Sequence, residues 1–164
     1  MFEESAKILE ILSYLVTVIG FPFAIFVFIF EKRRENLAED YEIYQRLSDE
    51  YFRFQRLMLT NSDLKLRLDT KTEGLSKEQS ERMIILFDIL ISLFERAYIL
   101  VYAPGESAQR TRMWGSWEDY MREWCRRQDF VEHLPILLKG EDPEFVAYIR
   151  KLVEEEKKPL QLDN

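Results

Sequence analysis

The sequence predicts an all-α protein with an N-terminal transmembrane helix, a stalk helix that continues it, and a cytoplasmic bundle of about four helices. Three observations predict this class. A run of twenty residues without a charge lies near the start, apolar residues recur at helical spacing in most of the remainder, and helix start and stop signals separate these stretches. The resulting segments are a membrane anchor at 1–31, a stalk at 32–60, a helical domain at 61–158 and a tail at 159–164.

The uncharged run extends from Ile11 to Phe30. At a rise of ~1.5 Å per residue it would span ~30 Å, which is the thickness of the hydrocarbon core of a bilayer. A cleavable signal peptide is the main alternative, but it would need a basic start and a shorter apolar run, whereas Glu3 and Glu4 precede this one. We therefore expect a membrane anchor.

The distribution of basic residues predicts how this anchor is oriented. Lys32, Arg33 and Arg34 follow the run directly, whereas Lys7 is the only basic residue before it. Lysine and arginine accumulate at the cytoplasmic ends of membrane helices. The expected location is therefore the inner (cytoplasmic) membrane, in a single pass, with the N-terminus outside and the C-terminal domain in the cytoplasm. The same three residues can also hold anionic lipid headgroups.

Small residues mark one face of the predicted span. Ser13, Thr17, Gly20 and Ala24 are spaced by four, three and four residues, which places them on one side of an α-helix. Small side chains let helices approach closely in lipid, so this face predicts packing against another membrane helix, either in a homo-oligomer or with a larger membrane protein. Pro22 removes one backbone hydrogen bond and predicts a kink.

The stalk lacks glycine and proline from residue 31 to about residue 60. Its apolar residues recur at helical spacing, which predicts a helix that packs on the domain that follows. These residues are Leu37, Tyr41, Tyr44, Leu47, Tyr51, Phe54 and Met58.

The first two helices of the bundle have recognisable starts and faces. Ser76 and Gln79 form a capping box that opens a helix running to about Tyr102. A second helix, at about 107–127, carries its large apolar residues on one face. These are Trp114, Trp117, Met121 and Trp124.

Two shorter helices complete the predicted bundle. One runs from 129 to 138 with Pro135 in or near its first turn, and Gly140 ends it. Asp142 as N-cap and Pro143 at the first helical position begin the last helix. Its expected buried face comprises Phe145, Ile149, Leu152 and Val153.

Composition excludes several function classes. The net charge of -7 argues against nucleic-acid binding, because a phosphate-binding surface needs a basic excess. With Cys125 as the only cysteine and His133 as the only histidine, zinc sites and Cys/His or Ser/His catalysis have too few ligands and bases within one chain. The sequence therefore predicts a protein that is not an enzyme and has no cofactor.

Two clusters of charged residues are open to a functional interpretation. Glu81, Asp88 and Glu95 lie seven residues apart on one helix face, where they could bind a cation or share a proton. The favoured interpretation is a structural network in which Asp88 or Glu95 pairs with an arginine of the next helix. Arginines interleaved with the tryptophans could bind an anionic, planar ligand, although helical phase places most of them away from the tryptophan face. These are Arg110, Arg112, Arg122 and Arg126.

The layout resembles a loose group of uncharacterised bacterial proteins with one N-terminal membrane helix, a polar stalk and a small cytoplasmic helical domain. The resemblance implies a fold and a location, and it brings no activity and no functional residue. The residues that carry it are Leu93-Phe94-Glu95-Arg96-Ala97-Tyr98, Trp114-x-x-Trp117-Glu118-x-Tyr120 with Trp124, Pro143-Glu144-Phe145 and Tyr148-Ile149.

Two functional hypotheses follow. The first is a non-enzymatic membrane-anchored helical module that assembles with itself or with a larger membrane protein, as a scaffold or regulatory subunit. The alternative is a ligand-gated membrane effector or small channel whose cytoplasmic bundle senses an anionic small molecule.

Overall fold

The computed structural model describes residues 7, 14, 16–67, 70–102 and 108–157, apart from the side chains of Asn36 and Ala108. Within these residues the chain forms five α-helices and no strand, which confirms the all-α prediction. The chain divides into two compact units, Met1–Glu42 and Ile43–Asn164.

The first unit contains a π-helical turn, Val16–Gly20, and the start of helix α1, which extends over Phe21–Thr60. Pro22 has no N–H to donate to the carbonyl four residues earlier, and the helix departs from α geometry at this point, next to the predicted kink. Among the described residues, no helix combines the length and apolar character needed to cross a bilayer. Of the predicted span, residues 11–13 and 15 lie outside the described residues.

The second unit begins within α1, and the buried stripe of this helix is shorter than predicted. Leu47, Tyr51, Phe54 and Met58 are buried in the core, as expected for a helix that packs on the domain. The three earlier members of the predicted stripe are exposed. They are Leu37, Tyr41 and Tyr44.

Helix α2, Lys77–Val101, is the central core helix of this unit. Its predicted capping box is present: the Gln79 amide donates to Ser76 Oγ at 3.2 Å, and the Ser76 amide donates to Gln79 Oε1 at 2.9 Å. Helix α3, Ala108–Cys125, buries the four apolar residues predicted for its inner face. Aromatic edges join these helices, since Trp124 contacts Phe87 with ring centroids 5.9 Å apart.

Helices α4, Gln128–Leu137, and α5, Pro143–Glu156, close the bundle, which has the four helices expected after the stalk. The predicted place of Pro135 is wrong, because α4 begins seven residues earlier and Pro135 lies in its last turn. Asp142 caps α5 as predicted, accepting hydrogen bonds from the amides of Glu144 at 2.9 Å and Phe145 at 3.0 Å. The core side of α5 contains the four residues expected there.

Candidate functional site

The N-terminal part of α1 and the π-helical turn before it expose apolar side chains in every direction. The exposed fractions of the large apolar residues at 16–30 lie between 45% and 69%, apart from Val27, which is partly buried. A helix in water normally buries an apolar stripe and exposes a polar one, and a helix that is apolar on all sides is covered by protein or lipid. The apolar surface of this segment is therefore more stable in contact with protein or lipid than in water.

The predicted small-residue face lies on this segment. Thr17, Gly20 and Ala24 are exposed, and Ser13 lies outside the described residues. A Cβ added at Gly20 would meet only Val16 Cγ1, at an ordinary 3.7 Å, so the chain itself does not require a glycine there. Because a π-helical turn advances by less than the ~100° per residue of an α-helix, Thr17 and Gly20 are rotated from their expected phase relative to Ala24.

The three basic residues that follow the segment are all exposed. Lys32 reaches Glu35 at 4.0 Å, with 63% and 73% of the two side chains exposed, which makes this a weak surface pair. Lys32, Arg33 and Arg34 are therefore accessible to anionic groups in solution or on a lipid surface.

In the second unit, the structure brings two of the four predicted ligand-binding arginines together, but against acidic side chains. Arg122 contacts Glu118 at 2.7 Å and Glu155 at 2.7 Å. Arg122 and Arg126 share Glu156, at 3.1 Å and 2.8 Å. Three carboxylates thus face two guanidinium groups, and this excess of negative charge disfavours an anion beside them.

Glu118 is the centre of this network. It accepts hydrogen bonds from Trp114 Nε1 at 3.2 Å, from the Tyr148 hydroxyl at 2.6 Å and from Arg122. Burial acts to raise the pKa of Glu118, but the hydrogen bonds from Tyr148 and Arg122 and the arginine charge outweigh it and lower this pKa. The network therefore links α3 to α5 through a charged carboxylate. Of the other two predicted arginines, Arg110 is partly buried and Arg112 is exposed. An anionic ligand at the four arginines stays a prediction.

A second arginine with a structural role is Arg127, which lies between α3 and α4. Its side chain is 2% exposed and pairs with Asp129, which is 1% exposed, through Nε at 2.6 Å and Nη2 at 2.7 Å. Arg127 also donates to Thr72 Oγ1 at 2.8 Å, and the Thr72 amide donates to Asp129 at 3.1 Å. The pair fastens the loop before α2 to the start of α4.

Of the three carboxylates predicted on one face of α2, Glu95 forms an unexpected contact. It hydrogen-bonds Glu141, and it accepts the Asp142 amide at 2.5 Å. Burial, the hydrogen bond to Glu95 and the nearby charges of Glu95 and Asp88 raise the pKa of Glu141 to about 7. The described contacts of Glu95 are thus with Glu141 and the Asp142 amide. The favoured interpretation, a pair of Asp88 or Glu95 with an arginine of the next helix, stays a prediction.

Two cavities flank the part of α1 that belongs to the second unit. The aromatic groove has a volume of about 280 Å³ and a floor in which Tyr51 stacks on Tyr120 at 4.4 Å. Its lining comprises Tyr44, Ser48, Tyr51, Phe52, Gln55, Ser116, Trp117 and Tyr120. The basic cavity, of about 390 Å³, is lined by Gln55, Met58, Leu59, Ser62, Lys65, Leu66 and Arg67. Sequence reasoning missed both cavities. The aromatic groove joins α1 to α3, which lie far apart in the sequence, and the basic cavity forms where the chain turns after the end of α1.

Comparison with known proteins gives no relative: no family model, no curated protein and no solved structure matches this chain.

Proposed function

We propose that the chain is a non-enzymatic, membrane-anchored helical module that assembles with itself or with a larger membrane protein, as a scaffold or regulatory subunit. The observation that carries this proposal is the exposure of large apolar side chains on all sides of residues 16–30. Each such side chain gains roughly 1.5–3 kcal/mol when it leaves water, so a surface of this kind is covered in the functional state.

The neighbouring sequence favours lipid as the cover of this segment. The uncharged run extends over twenty residues from Ile11 to Phe30, and accessible basic residues follow it at once. Apolar length and a basic boundary are together typical of an anchor in the inner membrane with its C-terminal domain in the cytoplasm. The second unit, with its own aromatic core, then provides the module that partners contact.

Flotation with lipid vesicles tests the anchor. We expect the full chain, reconstituted in vesicles of anionic and neutral lipids, to float through a density gradient and to stay with the lipid after an alkaline carbonate wash. Recovery of the chain from the wash supernatant would contradict a spanning anchor, because only peripheral proteins are released by that treatment.

Assembly through the small-residue face is tested by Gly20→Ile. We expect this variant to shift the mass measured in detergent towards the monomer, because the added side chain holds neighbouring helices apart. Its own helix tolerates the change, since only Val16 lies near the new Cβ. Phe26→Trp, which adds bulk about 200° away from Ala24, is the matched control and should leave the mass unchanged. Equal masses for wild type and Gly20→Ile would show that this face does not take part in the assembly.

A second candidate function, a ligand-gated effector that senses an anionic small molecule, is supported by the basic cavity. Its lining combines apolar Met58, Leu59 and Leu66 with exposed Lys65, a setting that suits an anion with an apolar portion. Arg67, also in the lining, pairs with Glu123 at 3.1 Å, so Lys65 carries the basic character of the cavity. A thermal-shift panel of nucleotides and acyl phosphates tests it, since a ligand at 100 times its Kd adds ~2.7 kcal/mol of stability. A shift that Lys65→Glu abolishes would favour this function, and a flat panel would count against it.

A further inference from the structure

The outer face of α2 carries apolar side chains that the described part of the chain leaves uncovered. Ile85, Ile89, Ile99 and Leu100 are exposed by 40% to 61%, although the opposite side of the same helix forms the core. At ~100° per residue these four side chains and exposed Ser92 fall within an arc of about 100°. Single exposed apolar residues are ordinary, whereas a continuous stripe along a helix marks an interaction surface.

Two opposite charges lie on this face at equal distances from its centre. Asp88 precedes Ser92 by four residues and Arg96 follows it by four, so each lies ~6 Å from Ser92 along the helix. Both side chains are exposed, and neither forms an ion pair with a described residue. They line a shallow groove of about 270 Å³ together with Glu50, Ile89, Ser92 and Leu93.

The positions of these two charges are complementary to those on a second, antiparallel copy of the same helix. When two copies of α2 cross in antiparallel orientation with a two-fold axis at Ser92, Asp88 faces the partner's Arg96, and the same contact recurs on the other side of the axis. Ile85 then lies beside the partner's Ile99, and small Ser92 allows the helices to approach closely. A parallel pairing would instead place Asp88 beside the partner's Asp88, with like charges opposed.

We propose that the outer face of α2 is a homodimer interface in which two copies of this helix pack antiparallel about Ser92 and exchange two Asp88–Arg96 ion pairs. The proposal deepens the self-assembly part of the proposed function and names its partner as a second copy. The proposed interface lies in the second unit alone, so it can be tested separately from the membrane anchor.

Cysteine cross-linking of the full chain in detergent tests the geometry. Ser92→Cys places one thiol per copy at the two-fold axis, within reach of its symmetry mate. The native Cys125 does not compete, because it is buried and burial raises its pKa to about 12. We expect a covalent dimer under mild oxidation. Ala147→Cys, also an exposed helical position, is the matched control and should stay monomeric.

A charge swap tests the ion pairs. In the Ser92→Cys background, Asp88→Arg or Arg96→Asp alone should reduce the rate of cross-linking roughly tenfold, because two symmetry-related pairs change from attraction to repulsion. The double variant with both substitutions should recover the original rate. Both sites are exposed, so we expect unchanged helix content by circular dichroism. Cross-linking no faster than in the Ala147→Cys control, or a double variant as slow as the single ones, would overturn the proposal.

The outcomes also separate this inference from the anchor. A chain that floats with vesicles but does not cross-link at Ser92→Cys retains its anchor and loses this dimer. A chain that cross-links but does not float retains the dimer and loses the anchor. Cross-linking in native membranes to a protein other than this chain would replace the second copy with a different partner, and would overturn the proposal.

Discussion

Arg127 can be buried because Asp129 lies beside it and supplies the opposite charge. Both side chains are almost completely removed from water, their charges compensate each other, and each forms a hydrogen bond with Thr72. A buried pair contributes little net stability compared with apolar side chains, but loss of one partner leaves an uncompensated charge in the core. The pair therefore restricts the possible conformations of the loop before α2.

Removal of one partner should be strongly destabilising. We expect Asp129→Ala to lower the free energy of unfolding by about 3–5 kcal/mol, because Arg127 would remain buried without its counter-charge. Lys71→Ala is the matched control. It breaks the neighbouring Lys71–Glu132 pair, which is 2.6 Å long but about 40% exposed on both sides, and it should lower the free energy of unfolding far less. Urea denaturation of both variants measures the difference, and equal losses would contradict a special role for the buried pair.

The Glu95–Glu141 pair predicts a dependence of stability on pH. The pKa of Glu141 is raised in the folded chain from its ordinary value to about 7, so between these values the folded chain holds a proton that the unfolded chain has released. The stabilisation is complete below the ordinary pKa and is lost as the pH rises through about 7. Glu141→Gln, which stays neutral, should therefore raise the melting temperature much more at pH 8 than at pH 5.

Glu81→Gln controls for the removal of a negative charge from this acidic chain. Glu81 is exposed on α2 and lies fourteen residues before Glu95. Its substitution should change the melting temperature by similar amounts at both pH values. A Glu141→Gln effect that is the same at pH 5 and pH 8 would show that Glu141 does not retain its proton in the folded chain up to about pH 7.

The partners of individual charged residues were the least predictable part of the candidate site. Arg122 meets Glu155 and Glu156 across more than thirty residues of chain, and Glu95 meets Glu141 across more than forty. Helical phase correctly separated these arginines from the tryptophan face, since phase depends only on spacing within one helix. Which residues meet across two helices depends on the packing of the whole bundle, which spacing does not contain.

At the scale of helices, local signals were reliable. The capping box at Ser76 and the Asp142–Pro143 start were both predicted and found, because a cap joins groups only two or three residues apart. Pro135 was misplaced because proline favours a first turn but is tolerated elsewhere when packing requires it. For α1, the sequence predicted which side of the helix is buried, but it placed the start of the buried stripe too early. Periodicity shows the side of a helix that is apolar, and it does not show at which residue the helix first contacts its domain.

Two glycines should respond oppositely to the same substitution. Gly115 lies inside α3, and a Cβ there would meet no atom within 4 Å. We expect Gly115→Ala to stabilise the fold by about 0.5–1 kcal/mol, because alanine favours the helix. Gly140 has a φ of +93°, which side chains rarely adopt, so Gly140→Ala should destabilise the fold by about 1–2 kcal/mol. Thermal denaturation measures both, and changes of the same sign would contradict the assigned backbone roles.

At the scale of the whole molecule, the chain has buried apolar residues in one part and exposed apolar residues in another. The second unit buries most of its aromatic residues in a core, whereas the described aromatic residues at 16–30 are exposed. The fold class and the order of the helices could be predicted because both depend on the pattern of apolar residues along the chain. The contact between α2 and a second copy could not, because it requires knowing which side of α2 the core leaves uncovered.

The proposed anchor makes a last prediction, about orientation. Lys32, Arg33 and Arg34 hold the C-terminal side of the anchor in the cytoplasm, against Lys7 on the other side. Replacing all three with glutamine reverses the balance of basic residues, so we expect a substantial fraction of chains to insert with the second unit outside, where added protease can digest it in intact spheroplasts. Glutamine at Lys139, Lys151 and Lys157 makes the same change in net charge far from the anchor and should leave the second unit protected. Equal protection of the two triple variants would show that these basic residues do not set the orientation.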